Sequence, residues 1–316
     1  MAASVRRDEF RAMGCSVEVE LVGDEDALLV TGLAIARRSI AELERWWSRF
    51  LPDSDISRLN AAQGAMVSVQ PATIDLLQAM VDGFAATDGC FDPTLLAPLV
   101  ALGYDASWSD SGMRTSVPAG SSWRGDIRGV AVDRDALVAQ LPSGTVLDAG
   151  GIGKGLAADR VVAELLAAGV GGAMVSIGGD LRVAGTGPNS GAWLIGVADA
   201  SDHTTEVAYL AIADAGVATS GTRRRAWRDG NDNEVHHLLD PATGRPTEHE
   251  VVQATVVAGT AAWAEVYTKV LMVRGAAALK SLDDAGLGAR VVFGDGTVRG
   301  NDVWQKLESD KPCIRN

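Results

Sequence analysis

The sequence predicts an α+β protein in which mixed, largely antiparallel sheets pack with helices, and three observations predict it. Glycine is abundant at 36 of 316 residues, about 11% against a usual level of roughly 7%, so tight turns are frequent. Short β-branched segments, the clearest with period-two alternation, recur along the chain. Between them lie long segments with helical periodicity, notably 24–47 and 71–84. The length suits either one domain over 1–316 or two intimately packed subdomains. With 28 basic and 41 acidic residues the net charge is −13. That sign argues against non-specific nucleic-acid binding and against anionic membrane surfaces. It leaves room for a small anionic ligand, which responds to local charge. Cys15, Cys90 and Cys313 are scattered and odd in number, with neither metal-ligand spacing nor a disulfide framework. The first residues hold no apolar signal core, and no run reaches the roughly 18 apolar residues that span a bilayer. The expectation is a soluble, cytoplasmic protein with no membrane partner.

In chain order, Phe10–Met13 and Ser16–Val22 read as two strands about Gly14, the second alternating Val17, Val19, Leu21 against Ser16, Glu18, Glu20. Asp24–Trp47 reads as one amphipathic helix. Phe50–Asn60 is a loop with helix-start chemistry. Phe50 could stack on a planar ligand or simply be core. Pro71 opens a second helix that Asp88-Gly89 ends. Asp92, held extended before Pro93, could face a pocket or form a turn. An apolar run follows from Leu95 to Leu102, and residues 105–125 read as a surface excursion. Val130–Val132 and Leu137–Leu141 look like strand fragments.

The most informative stretch is Thr145–Arg160. Thr145–Leu147 reads as a short strand, glycines at 150, 151, 153 and 155 as a turn, and Leu156–Ala168 as a helix. Converging N–H groups, a helix N-terminus and Lys154 would make an anion cradle, with Asp148 accepting from a polar ligand group. The spacing fits neither the Walker loop nor the dinucleotide fingerprint. A glycine-rich turn that holds no ligand is the plain alternative.

Ala173–Ile177 is a strand and Gly178-Gly179-Asp180 a second glycine turn. Leu181–Ala184, Trp193–Ala198 and Val207–Ile212 continue an antiparallel sheet. Gly216–Gly221 ends a strand in a small polar turn. Arg223–Arg225 would meet phosphates or form a solvated loop. His236 and His237, if both lie in a strand, point to opposite faces. Val252–Val257 is a strand, and Thr260 caps a helix to about Val273. On it Glu265 and Lys269 share a face at i, i+4, with an ordinary surface ion pair as the plain reading. Arg290–Phe293 and Thr297-Val298 form a last hairpin, and 308–316 read as a frayed tail.

Taken together these stretches resemble the ApbE family, the FAD:protein FMN transferases, whose fold is T-fold-like. Leu147-Asp-Ala-Gly-Gly-Ile-Gly-Lys-Gly155 is similar to the family's D-L-G-G-I-A-K-G, and Val175-Ser-Ile-Gly-Gly-Asp180 to V-S-x-G-G-[DN]. Ala218-Thr-Ser-Gly221 resembles S-T-S-G, and His237-Leu-Leu-Asp-Pro-Ala-Thr-Gly-Arg-Pro246 resembles H-x-I-D-P-x-T-G-x-P. The resemblance implies FAD bound beside a divalent metal, Mg²⁺. It also implies cleavage of the FAD pyrophosphate, release of AMP, and attachment of FMN to a Thr or Ser hydroxyl of a target flavoprotein. By position it implies His237 as general base. FAD would be contacted by Met13, Phe50, Cys90, Phe91, Asp92, Asp148, Lys154, Gly178, Gly179, Ser220 and Leu239. The metal would be held by Gly151, Glu265 and Thr268. Here the sequence departs from the family's T-x-A-x-A-D-A-x-[ST]-T: Glu265 replaces the Asp, and Lys269 stands in place of a ligand Thr. Rival readings are an FAD-binding protein of the same fold without transferase activity, an FAD hydrolase or redox enzyme, and a structural protein that binds no nucleotide.

Overall fold

The chain opens with a hairpin of β1 (Ser4–Ala12) and β2 (Cys15–Gly23), in register from Ser4↔Gly23 to Ala12↔Cys15. Met13 and Gly14 both take positive φ, 51° and 68°, as a two-residue turn between twisted antiparallel strands requires. The structure is a computed structural model that describes residues 4–310, except 109, 111, 189 and 190. Helix α1 (Asp26–Trp47) buries Leu29, Ile40, Leu43 and Trp47 along one face. Helix α2 (Asp55–Ala61) starts where Ser54 accepts the Ser57 N–H at 3.0 Å. Next come β3 (Val67–Ser68), α3 (Pro71–Ala86) and α4 (Leu96–Ala101), then β4 (Ala131–Asp133) and β5 (Val138–Gln140), which join β3 in a small sheet. Helix α5 (Gly153–Ala167) leads to β6 (Gly172–Ile177), β7 (Asp180–Gly185), β8 (Trp193–Ala198), β9 (Glu206–Ile212) and β10 (Ala215–Gly221). Four short strands follow: β11 (Ala226–Arg228), β12 (Glu234–His236), β13 (Leu239–Asp240) and β14 (Arg245–Pro246). The chain closes with β15 (Val251–Ala258), α6 (Ala261–Arg274), α7 (Leu279–Asp284), β16 (Gly288–Phe293), β17 (Val298–Gly300), α8 (Asp302–Leu307) and β18 (Glu308–Ser309).

Among the described residues the main sheet has the order β1-β2-β6-β7-β10-β15-β16-β17, and every neighbouring pair is antiparallel. α1 packs on β1 and β2, α5 on β6 and β7, and α6 on β10 and β15, with α5 between the other two. Residues of the opposite sheet face, Leu181, Val183, Val217 and Val257, meet Trp193, Ile195 and Leu210 of a separate sheet and Trp304 of α8. This layering places the turn of β1–β2, the turn of β6–β7 and the end of β10 side by side at one end of the sheet, next to the start of α5. No helix among the described residues is long and apolar enough to cross a membrane.

Several expectations need correction. Residues 145–147 form no strand. Instead the Asn60 side chain accepts the Leu147 N–H at 2.7 Å and donates to the Leu147 carbonyl at 2.9 Å, so one amide satisfies both groups. β8 and β9 do not continue the main sheet but form their own with β18. The tail expected to fray from 308 begins with Glu308 and Ser309 paired to Leu210 and Tyr209. Residues 311–316, with Cys313, lie outside the described residues. Helices α7 and α8 are too short to show a helical period in the sequence.

Candidate active site

At that end of the sheet lies a cleft of about 410 Å³. Its walls come from the β1–β2 turn, the end of α1, residues 90–95, the glycine turn 148–151, the β6–β7 turn, the end of β10 and the C-terminal part of α6. Ser107 and Met113 also line it, so the 105–125 excursion closes one side of the cleft. Six basic side chains line it: Arg11, Arg49, Lys154, Arg224, Arg225 and Lys269. Four acidic side chains line it too, Glu44, Asp92, Asp148 and Asp180, so in a chain of net charge −13 the cleft still carries an excess of basic over acidic groups, a local reversal of sign.

The floor, made by Lys154, Asp180 and Lys269, rests on a fourth charge, the buried Glu265. Lys154 Nζ lies 2.5 Å from Asp180 Oδ2 and also donates to Glu265 Oε1. Burial opposes charge on Lys154, but these two carboxylates outweigh it and hold the ammonium above its ordinary value. Glu265 is fully buried, and its Oε2 accepts the Gly155 N–H at 2.9 Å. Burial pushes its carboxyl up, yet Lys154 and Lys269 pull it below its usual value. Asp180 goes the other way, raised by burial despite Lys154. Lys269 donates to the Glu265 backbone carbonyl at 3.0 Å and lies 3.8 Å from Oε1. Burial lowers its pKa, with Glu265 opposing.

The glycine turn differs from the expectation. Residues 149–151 form a single 3₁₀ turn and α5 already begins at Gly153, so Gly153 and Gly155 are helical. A Cβ on Gly155 would lie 2.4 Å from the Ala261 carbonyl oxygen, so glycine is needed there for α5 to approach α6. The anion at this helix start is the chain's own Glu265. Asp148 Oδ1 accepts the Gly150 N–H at 2.9 Å, and its Oδ2 lies 3.4 Å from Arg49 Nε. Arg49 stacks on Phe50 and Tyr104, 4.2 and 4.7 Å from the ring centroids, and donates to the Tyr104 carbonyl. Its Nη1 and the Trp47 Nε1 are buried without a hydrogen-bond partner among the described residues.

Met13, Phe50, Cys90, Phe91, Asp92, Asp148, Gly151, Lys154, Gly178, Ser220, His237, Leu239 and Lys269 all line the cleft. Gly179, Glu265 and Thr268 do not. Gly179 turns the chain at φ 95°, while Glu265 and Thr268 are buried beneath the floor. Asp92 lines the cleft with its carboxylate already engaged: Oδ1 accepts from the Thr94 N–H and hydroxyl, and Oδ2 pairs with Arg124 at 2.8 Å. It thus both lines the cleft and forms the turn of the plainer reading. The arginine run divides: Arg223 and Arg224 are exposed, as in the plainer reading, although Arg224 donates to the Gly178 carbonyl at 3.3 Å, while Arg225 is half-buried and donates to Cys15 Sγ at 3.3 Å. Arg49, Trp47 and Tyr104 were not singled out from the sequence. Arg49 sits beside Phe50 at a helix end, and no spacing rule marks it.

β12 ends at His236, so the two histidines do not share a strand, yet of the two only His237 lines the cleft. His236 Nε2 lies 3.2 Å from the Thr247 carbonyl, while His237 lines the cleft with Nδ1 3.4 Å from the Arg225 carbonyl. A carbonyl only accepts, so Nδ1–H donates and Nε2 is left as the acceptor. Burial, with the charges of Arg225 and Lys269, drives the His237 pKa well below its ordinary value. The ring is therefore neutral at neutral pH.

The donors expected for a divalent cation do not suit one. Both Glu265 oxygens are engaged, one of them by an ammonium. Thr268 Oγ1 donates to the Glu265 carbonyl at 2.7 Å and shares a 2.7 Å hydrogen bond with Ser220. Lys269 passes Gly151, whose Cβ would lie 3.6 Å from the lysine Cε. Two ammoniums at this spot repel a hard cation. Among the described residues no group of three or more His, Cys, Asp or Glu side chains is placed to hold a metal.

Sheet, helices and cleft together define an α+β protein with a cleft lined by basic side chains at one sheet end. The chain belongs to the ApbE family, whose sequence pattern matches residues 13–292. It is 30% identical to the FAD:protein FMN transferase of Salmonella typhimurium, over 84% of this chain and 78% of that one. The Rhodobacter capsulatus protein of the same name is 27% identical over 85% of this chain, which spans about half, 51%, of that relative's length. The solved ApbE protein of Thermotoga maritima superposes with a TM-score of 0.84 at 23% identity, covering 97% of this chain and 100% of that one.

Proposed function

We propose that this protein is an FAD:protein FMN transferase that moves FMN from FAD to a Thr or Ser hydroxyl of a target flavoprotein. The observation that carries this reading is the reversal of sign in the cleft: an acidic chain collects Arg49, Arg225 and Lys269 around a neutral histidine. FAD carries its charge on a diphosphate, which suits these cations. The buried donors of Arg49 and Trp47 without partners await a polar ligand. Met13, Phe50, Phe91 and Leu239 supply apolar walls for flat rings. Asp148, Gly178 and Ser220 offer polar contacts.

In this reading His237 Nε2 accepts the proton of the acceptor hydroxyl. The hydroxyl oxygen attacks the phosphorus on the FMN side, a phosphoester bond forms, and the bond to the AMP phosphate breaks. AMP leaves carrying the electron pair. The Arg225 carbonyl keeps the ring in the required tautomer. The cations along the cleft stabilise charge that develops on the transferring phosphoryl group. Magnesium has no part in this reading, because the expected donors do not suit it. Cytoplasmic residence is proposed with it, because the scattered cysteines form no disulfide framework.

Mass spectrometry tests the reading. Incubation with FAD and a threonine-bearing peptide from a flavoprotein should add FMN to the peptide and release AMP. AMP without peptide modification would instead favour an FAD hydrolase. FAD bound but unchanged would leave a binding protein.

A further inference from the structure

Lys154 and Lys269 flank the same carboxylate, yet they are held differently. Lys154 is clamped by Asp180 and Glu265 together. Lys269 makes one hydrogen bond, to the Glu265 carbonyl, and Oε1 at 3.8 Å is beyond hydrogen-bond reach. An ammonium has three donors, so two of Lys269's are unspent among the described residues. Its side chain lines the cleft with only 16% exposed. It passes Gly151, one of the expected metal donors, whose Cβ would lie 3.6 Å from the lysine Cε, and it bonds the backbone of Glu265, another. The two lysines balance Asp180 and Glu265 in charge. A divalent cation added here would leave two uncompensated positive charges in a buried place, whereas an anionic diphosphate would meet a donor already waiting.

We propose that the Lys269 ammonium is the cation this chain presents to the diphosphate of its nucleotide, so that nucleotide binding requires no divalent metal. This rests on the FAD reading above and adds the identity of the neutralising charge. Lysine offers one charge on a mobile stem where a dication offers two in fixed geometry. The diphosphate therefore also draws on Arg49 and Arg225.

The test is calorimetric titration of the full chain with FAD, once in EDTA and once in Mg²⁺. It is run on the unmodified protein, Lys269→Arg and Lys269→Gln. The unmodified protein should bind FAD with affinities within about twofold of each other in the two buffers. In EDTA, Lys269→Arg should stay within about threefold, and Lys269→Gln should lose about tenfold or more. Mg²⁺ strengthening binding to the unmodified protein tenfold would keep the nucleotide reading and overturn this one. Equal losses in the Arg and Gln variants would also overturn it, since a merely structural lysine would respond that way. No FAD binding in either buffer would overturn both.

Discussion

Glu265 and Gly155 are 110 residues apart in sequence, and the Glu265 carboxylate accepts the Gly155 backbone N–H at 2.9 Å. The same carboxylate binds Lys154, so α6 caps and neutralises the start of α5. Removing one partner from a buried ion pair leaves the other uncompensated. Glu265→Ala should therefore cost about 3–5 kcal/mol of stability in chemical denaturation without ligand. A loss below about 1 kcal/mol would mean that the cluster does not hold the two helices together.

His237→Ala should leave FAD affinity nearly unchanged and slow transfer by about 10²–10⁴-fold, the usual span of a general-base contribution. Titration and peptide modification are measured on the same preparation. A collapse of FAD affinity would make His237 a binding residue.

The pH profile follows from the depressed His237 pKa, to which burial, Arg225, Lys269 and His236 all contribute. The ring loses its proton-accepting form only when pH falls through a value well below the ordinary histidine range. Transfer should stay level from about pH 8 to 6.5 with respect to this group. The folded state resists protonation of the buried ring while the unfolded chain accepts it near pH 6.5. This group's effect on stability is therefore absent above that pH and becomes a growing penalty as pH falls toward the folded value. An acid limb of the rate profile at or above pH 6.5 would contradict the assignment.

Asp148 has two partners that can be separated. Asp148→Asn keeps an oxygen for the Gly150 N–H but loses the charge beside Arg49. Asp148→Ala loses both and should cost about 1 kcal/mol, as lost turn caps do. Thermal melts should therefore place Asn near the unmodified protein and Ala below it. Both should weaken FAD binding. Unchanged binding in Asn would restrict Asp148 to shaping the turn.

Much of the fold was legible because local patterns agreed with it. Val17, Val19 and Leu21 alternate and are buried, and Thr260 caps α6 as read, accepting the Trp263 N–H at 3.3 Å. What was not legible depends on distant partners. Nothing near Leu147 announces that Asn60 will satisfy its backbone. Gly155 looks like part of a turn until the Ala261 carbonyl is seen to crowd it. At the site, the motifs located the cleft, but they could not say which carboxylates were already spent. Asp92 is occupied by Thr94 and Arg124, and Lys154 by Asp180 and Glu265. Arg49 lay outside every motif and emerges only where α1 ends beside Tyr104.

The two hydrogen bonds of the Asn60 side chain also make the cleft sensitive to one covalent change. Spontaneous deamidation of asparagine to aspartate replaces the donor Nδ2 by an oxygen. At this buried position that oxygen would face the Leu147 carbonyl, acceptor against acceptor. The change adds about one mass unit and leaves the chain intact, yet it would unpin the segment that leads into Asp148 and the glycine turn. Aged protein could thus keep its sheet and helices while its cleft loosens. The helical setting of Asn60 in α2, which disfavours the cyclic intermediate, is what postpones it.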